Sequence, residues 1–424
     1  MRNSRANLNL VAVSASMRET AINTPQLLDH SLLVDVGDYL NLDMRRESNA
    51  DKANGKEEPD LIYDNGATAS GSFNFNKLQP HQAGLILAYG LGSVSTAAAG
   101  SGYAHTITPI NGDLDLARSN PSFTAAQRIG KTLNKRRFAS CFVDSFSLTF
   151  AVDDWVKGKA DIKGTGLYAD TVIEEEVEAL DNATSLTLAA NGVQGATAAE
   201  RLDNVQVVRA TVGGGVQFAT VSAVSAATPA VLTISSLGGS GATVTYKVLY
   251  TPTEPAWATF PARVTETPLR VAQACLYLGG SWSGSAFVGG KQLASELSSF
   301  EWTCNNNLAV EFTPCAGGSY AGRAYRGGRN QTIKLSRELR DWLVQNYMGT
   351  NETFGLHLLC EGAEFDTGHN YTVELVFPQL GVLSAPLSTN NKRVAEAGDL
   401  QVLEHATYGS VIAVVKNLVA TYAA

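Results

Sequence analysis

The side chains of this 424-residue chain that could do chemistry are scattered, and their spacing argues against most of it. RIGKT at 128–132 contains the Gly-Lys-Thr of a phosphate-cradling loop. Such a loop also needs a glycine five residues before Gly130; Ala125 stands there, so a basic turn is expected. NKRR at 134–137 could hold a phosphate backbone, but three cations ahead of a strand read as a solvated edge. GRAYRGGRN at 322–330 mixes Arg, Tyr and Gly as single-strand RNA binders do, yet one copy reads as a flexible loop with hydrogen-bonding arginines. The six histidines (His30, His81, His105, His357, His369, His405) form no HxH or HxxxH pair. The five cysteines (Cys141, Cys275, Cys304, Cys315, Cys360) form no CxxC pair, and their odd number fits reduced thiols. No serine has a recognisable histidine and acid around it. DTVIEEEVEALDN at 170–182 is a run of acids rather than a converging loop, so it is expected to be a linker. No catalytic constellation, cofactor site or metal site is expected.

The totals narrow the class further. A net charge of −8 argues against a general nucleic-acid binder, which shows a basic excess. Only 17% of residues are charged while 39 are glycine, a composition that suits a protein burying much of itself against copies or partners. No apolar run is long enough to span a membrane as a helix. The N-terminal stretch, interrupted by Asn9 and followed by Arg18 and Glu19, reads as a tail or first strand, not a signal peptide.

The clearest element is a hairpin over 141–166. From Val143 to Val152 the residues alternate: Asp144, Phe146, Leu148, Phe150 and Val152 share one face, and Val143, Ser145, Ser147, Thr149 and Ala151 the other. Asp153 and Asp154 turn the chain. Val156, Gly158, Ala160 and Ile162 then alternate with Lys157, Lys159, Asp161 and Lys163. One face builds a core, and the other is polar and chemically inert.

Composition divides the chain into 1–180, 181–253 and 254–424. The first region is expected to hold strands at 31–43, 70–77 and 143–165 and a helix near 79–90. The second is a small all-β insert with strands at 185–189, 204–211, 215–223, 230–236 and 243–250. The third holds strands at 298–304, 308–313, 330–335, 354–360 and 371–377. It also holds a helix at 336–348 that starts at Ser336, buries Leu339, Trp342, Leu343 and Tyr347, and ends at Gly349. Segments 71–93 and 328–350 align without a gap, Gly71 on Gly328 and Leu78 on Leu335, which points to a duplication. The charged segment 41–60 reads as a long loop, and a loop of that length usually has a task.

NPSFTAAQRIGKTLNKRRFASCFVDSFSLTFAVDDWVKGKADIKGTG at 120–166 resembles the tail tube proteins of long-tailed bacteriophages, and SSFEWTCNNNLAVEF at 298–312 resembles the other half of that family. The resemblance implies two tandem β-sandwich domains, each with one helix, at 1–180 and 254–424. Copies join edge to edge into a ring whose hairpins form a continuous barrel, and the rings stack into a tube. Trimeric pseudo-six-fold rings are implied, with hexamers as the alternative. Further implied partners are the tape measure protein, tail terminator and tail-tip proteins, and double-stranded DNA passing through without sequence-specific binding. The location implied is the virion tail, assembled in the host cytoplasm. Ser145, Ser147 and Thr149 are then expected to face the lumen, with Asp144 and the phenylalanines on the sandwich side. Lys157, Lys159 and Lys163 are expected away from the bore or paired with acids such as Asp161. Arg45, Arg46, Glu47, Asp51, Lys52, Lys56, Glu57 and Glu58 are expected to form an arm between rings. A tail-tip or hub ring of the same fold is the alternative. Less favoured is a carbohydrate-binding β-protein using Trp155, Trp257, Trp282 and Trp302, because Trp302 alternates with Phe300 on an apolar face.

Overall fold

The computed structural model describes residues 5–53, 55–110, 120–131, 133–314, 318–390 and 392–424. The protein is mainly β, with α-helix confined to three segments among those residues. Two compact units are present: Met1–Ala12, Ala126–Arg137 and Tyr168–Pro261 form the smaller, and Val13–Ala125, Phe138–Leu167 and Ala262–Ala424 the larger.

In the smaller unit one sheet runs Ile173–Leu180, Thr243–Tyr250, Val205–Val212, Gly215–Ala219, and a second runs Ser185–Thr187, Val231–Ile234, Val221–Val224. Leu186, Leu232 and Ile234 of one sheet share a core with Val208, Tyr246, Val248 and Tyr250 of the other. The acidic run is therefore no linker. Ile173, Val177 and Ala179 pack on the core while Glu174, Glu176 and Glu178 face out, an alternation that the density of charge disguised. The strand expected over 215–223 is two, one in each sheet; the unit is not all-β, because Thr197 and Glu200 cap a short helix at Ala198–Asp203; and it extends well beyond 181–253.

In the larger unit, eight strands form one antiparallel run. In chain order they are β1 (Leu40–Ser48), β2 (Ile62–Phe75), β3 (Asn134–Ala151), β4 (Lys157–Gly164), β5 (Leu297–Asn305), β6 (Asn330–Glu338), β7 (Leu387–Asn390) and β8 (Arg393–Val402). In space the order is β1-β2-β4-β3-β5-β6-β8-β7. The first four and the last four repeat one pattern: a strand, its neighbour that leads into a helix, then a hairpin. The helices are α1 (Pro80–Leu91) and α2 (Leu343–Thr350). The run does not close into a barrel within the chain.

A second layer, in the order Gly92–Ala99, Gly102–Pro109, Ile412–Asn417, His369–Ser384, Phe354–Asp366, Ala274–Trp282, continues the fold. His369–Ser384 links the layers, because Leu380–Ser384 pairs with β8. The core is aromatic: Trp302 meets Phe146 edge-on at 5.0 Å and Phe377 at 5.2 Å, and Phe300 lies 5.9 Å from Phe150. α1 starts with Pro80 in its first turn, is buried along its whole length, and ends at Gly92 in the left-handed region. No side chain fits at Gly90, where a Cβ would lie 2.5 Å from the Phe146 ring.

Three further expectations change. The strand expected at 31–43 is two, His30–Leu32 and β1. The helix expected at 336–348 covers only Leu343–Thr350. Ser336 lies in β6, Trp342 caps the helix and is exposed, Val344 is the one buried helical residue, and Asn351 rather than Gly349 takes the left-handed cap. β6 is hydrogen-bonded on both sides, to β5 and β8, and that two-sided ladder outweighs the helical spacing of Leu339 and Leu343. The gapless alignment of 71–93 on 328–350 is also out of register. Gly66 and Gly328, both at positive φ, open the inner parts of β2 and β6, and the hairpin strands β4 and β8 end at Gly164 and Val402. Both criteria match Ala69 with Gln331 and Phe73 with Leu335.

Candidate functional site

The face of the eight-stranded run opposite the aromatic core is polar from end to end. Ser145, Ser147 and Thr149 sit half-buried on it, while Phe146, Leu148 and Phe150 are buried on the other side. Across the strands, Ser147 faces Lys159 and Thr303, Thr303 faces Thr332, and Thr332 faces Gln401. In the next row Thr149 faces Lys157 and Glu301, Glu301 faces Lys334, and Lys334 faces Asp399. Opposite charges thus alternate with hydroxyls and amides.

The three lysines lie on this face, and each has an acid: Lys157 with Asp154 at 2.6 Å, Lys159 with Asp161 at 3.0 Å, and Lys163 with Asp144 at 3.0 Å. Asp144 is therefore not on the sandwich side. The register shifts between Val143 and Ser145, and this bulge turns Asp144 onto the polar face, where it also accepts from the Leu308 amide at 2.8 Å. Val152, expected in the apolar row, is exposed next to the turn.

Segment 41–60 is an arm rather than a loop. β1 and β2 stay paired from Met44 to Ser48, with both faces exposed, so Arg45, Arg46 and Glu47 are strand residues and Asp51, Lys52, Lys56, Glu57 and Glu58 lie at the tip. Asn49, 3% exposed, organises the tip: its amide nitrogen donates to Asp60 Oδ1 at 2.8 Å and its oxygen accepts from the Asp60 and Leu61 amides. Lys52 pairs with Asp51 and Lys56 with Asp60. Leu40, Leu42 and Met44 alternate against Ala67 and Ala69, and that short signal was outweighed by the charges that follow. Met44, Ile62 and Tyr63 are exposed at this end of the run, and Leu387 and Val394 at the β7 end.

The motifs weighed for other chemistry find structural roles. Gly130 of RIGKT turns the chain after strand Phe123–Ile129, and Thr132 lies outside the described residues. Lys135 pairs with Glu254 at 2.6 Å, Arg136 with Asp170 at 2.7 Å, and Arg137 stacks over Trp257. GRAYRGGRN is not a flexible loop, since Arg323–Arg326 is a strand registered against Leu308–Glu311 and Arg326 is buried. Cys141, Cys304 and Cys360 are buried thiols whose pKa burial pushes up, and Cys315 lies outside the described residues. Among the described residues no three metal-ligating side chains converge. The chain matches no protein-family model and no curated protein.

Proposed function

We propose that this chain is the subunit of a phage-type tail tube. Three copies close a ring in which each supplies two of six equivalent positions, and rings stack into a conduit for the tape measure protein and DNA. The observation that carries the reading is the join between β3 and β5. There the edge of one four-stranded group pairs with the edge of the next over Ser145–Ala151 and Ser299–Asn305, with the aromatic core behind and hydroxyls in front. β7 and β1 hold the corresponding places at the two ends of the run. An even number of antiparallel strands leaves these two running in opposite directions, so β7 of one copy can pair with β1 of the next as β3 pairs with β5. Closure through three copies removes every open edge, the feature that otherwise drives uncontrolled aggregation.

The polar face then lines the bore. Lys157, Lys159 and Lys163 on it are already paired with acids, so they offer a passing duplex little grip through counterion release. The smaller unit has a core of its own and is a module added to the tube subunit. Negative-stain microscopy of the purified protein, with light scattering for its mass, tests the reading. Rings or tubes with a central bore, built from a three-chain unit, are expected. A monodisperse single chain at high concentration with no rings overturns it.

A further inference from the structure

The two halves of the strand run differ at one pair of matched places. In the first half, the end of β4 and the inner start of β2 are covered by a flap that follows β5, described over 306–314 and 318–327. The Ala321 amide donates to the Thr165 carbonyl at 2.9 Å, the Ala67 amide donates to Ser319 at 2.7 Å, and a Cβ added at Gly66 would lie 2.5 Å from the Phe312 ring. In the second half, the matched residues are the end of β8 and the inner start of β6. Gly328, Arg329, Gln331, Val402, Leu403 and Glu404 line a cavity of about 710 Å³ there, and a Cβ at Gly328 meets nothing within 4 Å.

This cavity is built for an acidic visitor. Arg329 donates to Asn306 Oδ1 at 3.1 Å and to the Leu91 carbonyl at 3.2 Å, yet forms no ion pair among the described residues, and burial pulls its pKa down to about 10. Arg326, 8% exposed, also lines it. Gln331 is 5% exposed with its carboxamide oxygen unpartnered. Its other partner is the Ser410 hydroxyl, which serves either orientation, so the amide can present an N–H₂ instead. Glu404 is the acid on the lining and limits the site to a small excess of positive charge.

The register that matches Gly66 with Gly328 also sets the arm against the flap: residues 44–65 match residues 306–327 position for position. The flap residues Ser319, Tyr320 and Ala321, which fill the first-half site, correspond to Glu57, Glu58 and Pro59 of the arm. Glu57 takes part in no hydrogen bond or ion pair among the described residues. We propose that this cavity receives the arm of the adjacent copy in the same ring, with Glu57 and Glu58 entering beside Arg329 and Arg326. The assignment rests on the ring reading above and changes the arm's partner from the neighbouring ring to the neighbouring copy. The reach is modest, since the flap itself crosses about three strand spacings of ~4.8 Å to its own site.

Disulfide trapping tests it. Glu57→Cys and Ser410→Cys are combined in one chain, with each single variant as control, and mildly oxidised assemblies are run on a non-reducing gel. A covalent product that stops at three chains, absent from both controls and lost on reduction, is expected. A ladder that continues past three chains means the arm reaches the next ring, and overturns the proposal. Rings or tubes that form normally with no cross-link also overturn it while leaving the tube reading intact. Absence of rings in the unmodified protein removes both. As a second readout, Glu57→Lys with Glu58→Lys, both exposed, is expected to raise the concentration needed for assembly by about ten-fold or more. An unchanged assembly concentration counts against the charge pairing.

Discussion

Ser145, Ser147 and Thr149 differ from their neighbours by presenting hydroxyls and no net charge to whatever faces the polar sheet. Replacing all three with arginine leaves the buried Phe146, Leu148 and Phe150 untouched, so the subunit is expected to fold and assemble. It is also expected to retain duplex DNA that the unmodified tube lets pass. Retention measured against salt should fall steeply, with a slope near −0.9 on logarithmic axes per phosphate neutralised; salt-independent retention would point to another cause. A second residue-scale prediction concerns the ion cluster at the end of β6. Burial alone pushes the Asp341 carboxyl up, but hydrogen bonds from Lys291 and Arg337 outweigh it and hold the group well below the usual carboxylate range. A carboxyl depressed in the folded state contributes stability above its unfolded pKa of about 3.9, and that contribution drains away as pH falls through the folded value. Asp341→Asn is therefore expected to lower Tm at neutral pH and to flatten the loss of Tm below about pH 4. An unchanged acid slope would show that other groups carry it.

At the scale of elements, the weight falls on β7, a four-residue strand that ends the run. Val394 lies opposite Thr389, and its carbonyl accepts from the Leu339 amide on the far side, so this pair is not hydrogen-bonded to itself and the Thr389 amide points away from β8. Thr389→Pro removes that outward donor without breaking the β7–β8 ladder. The variant is expected to keep a Tm within a few degrees of the parent while losing rings in light scattering. Normal ring mass would exclude β7 from the join between copies. α1 and α2 show why equal places in a fold need not be equally stable. Every residue of α1 is buried, whereas α2 buries only Val344 and leaves Trp342 exposed.

For the whole molecule, the smaller unit is the separable part. Its strands Ile173–Leu180 and Thr243–Tyr250 begin and end side by side, Ile173 opposite Tyr250, so the chain enters and leaves the paired strands within one strand spacing. Excising 172–251 and joining the ends with a short Gly/Ser linker removes both sheets together. Excising only 181–253 strands Ile173–Leu180 without its partner and exposes Ile173 and Val177. The longer excision is expected to assemble and the shorter to aggregate, with sedimentation and microscopy as the readout. Assembly lost in the longer excision, with the remaining protein folded, would make the unit part of the wall.

Period-two alternation in one chain segment was enough to read the hairpin's two faces, because Phe146, Leu148 and Phe150 are sorted by burial, a local property of a strand. Pro80 and Gly92 likewise mark α1, since caps act through neighbouring residues. The mainly-β class was readable for the same reason, whereas the short capped helix Ala198–Asp203 inside the expected all-β insert was not. Whatever depends on partners distant in the chain was not. Ser336 looks like a helix cap until β5 and β8 pair on either side of it; Asp144 looks like a core-side residue until a bulge turns it. The charges of 170–182 and 41–60 suggest linker and loop until Thr243–Tyr250 and β2 supply a second strand. The alignment of 71–93 on 328–350 matched similar residues, but only the hydrogen-bonded register, held by cross-strand packing, matches Gly66 with Gly328 and sets a filled site beside an open one. Composition and local period sort residues by face; long-range strand pairing decides which face meets which, and that is a property of the folded chain.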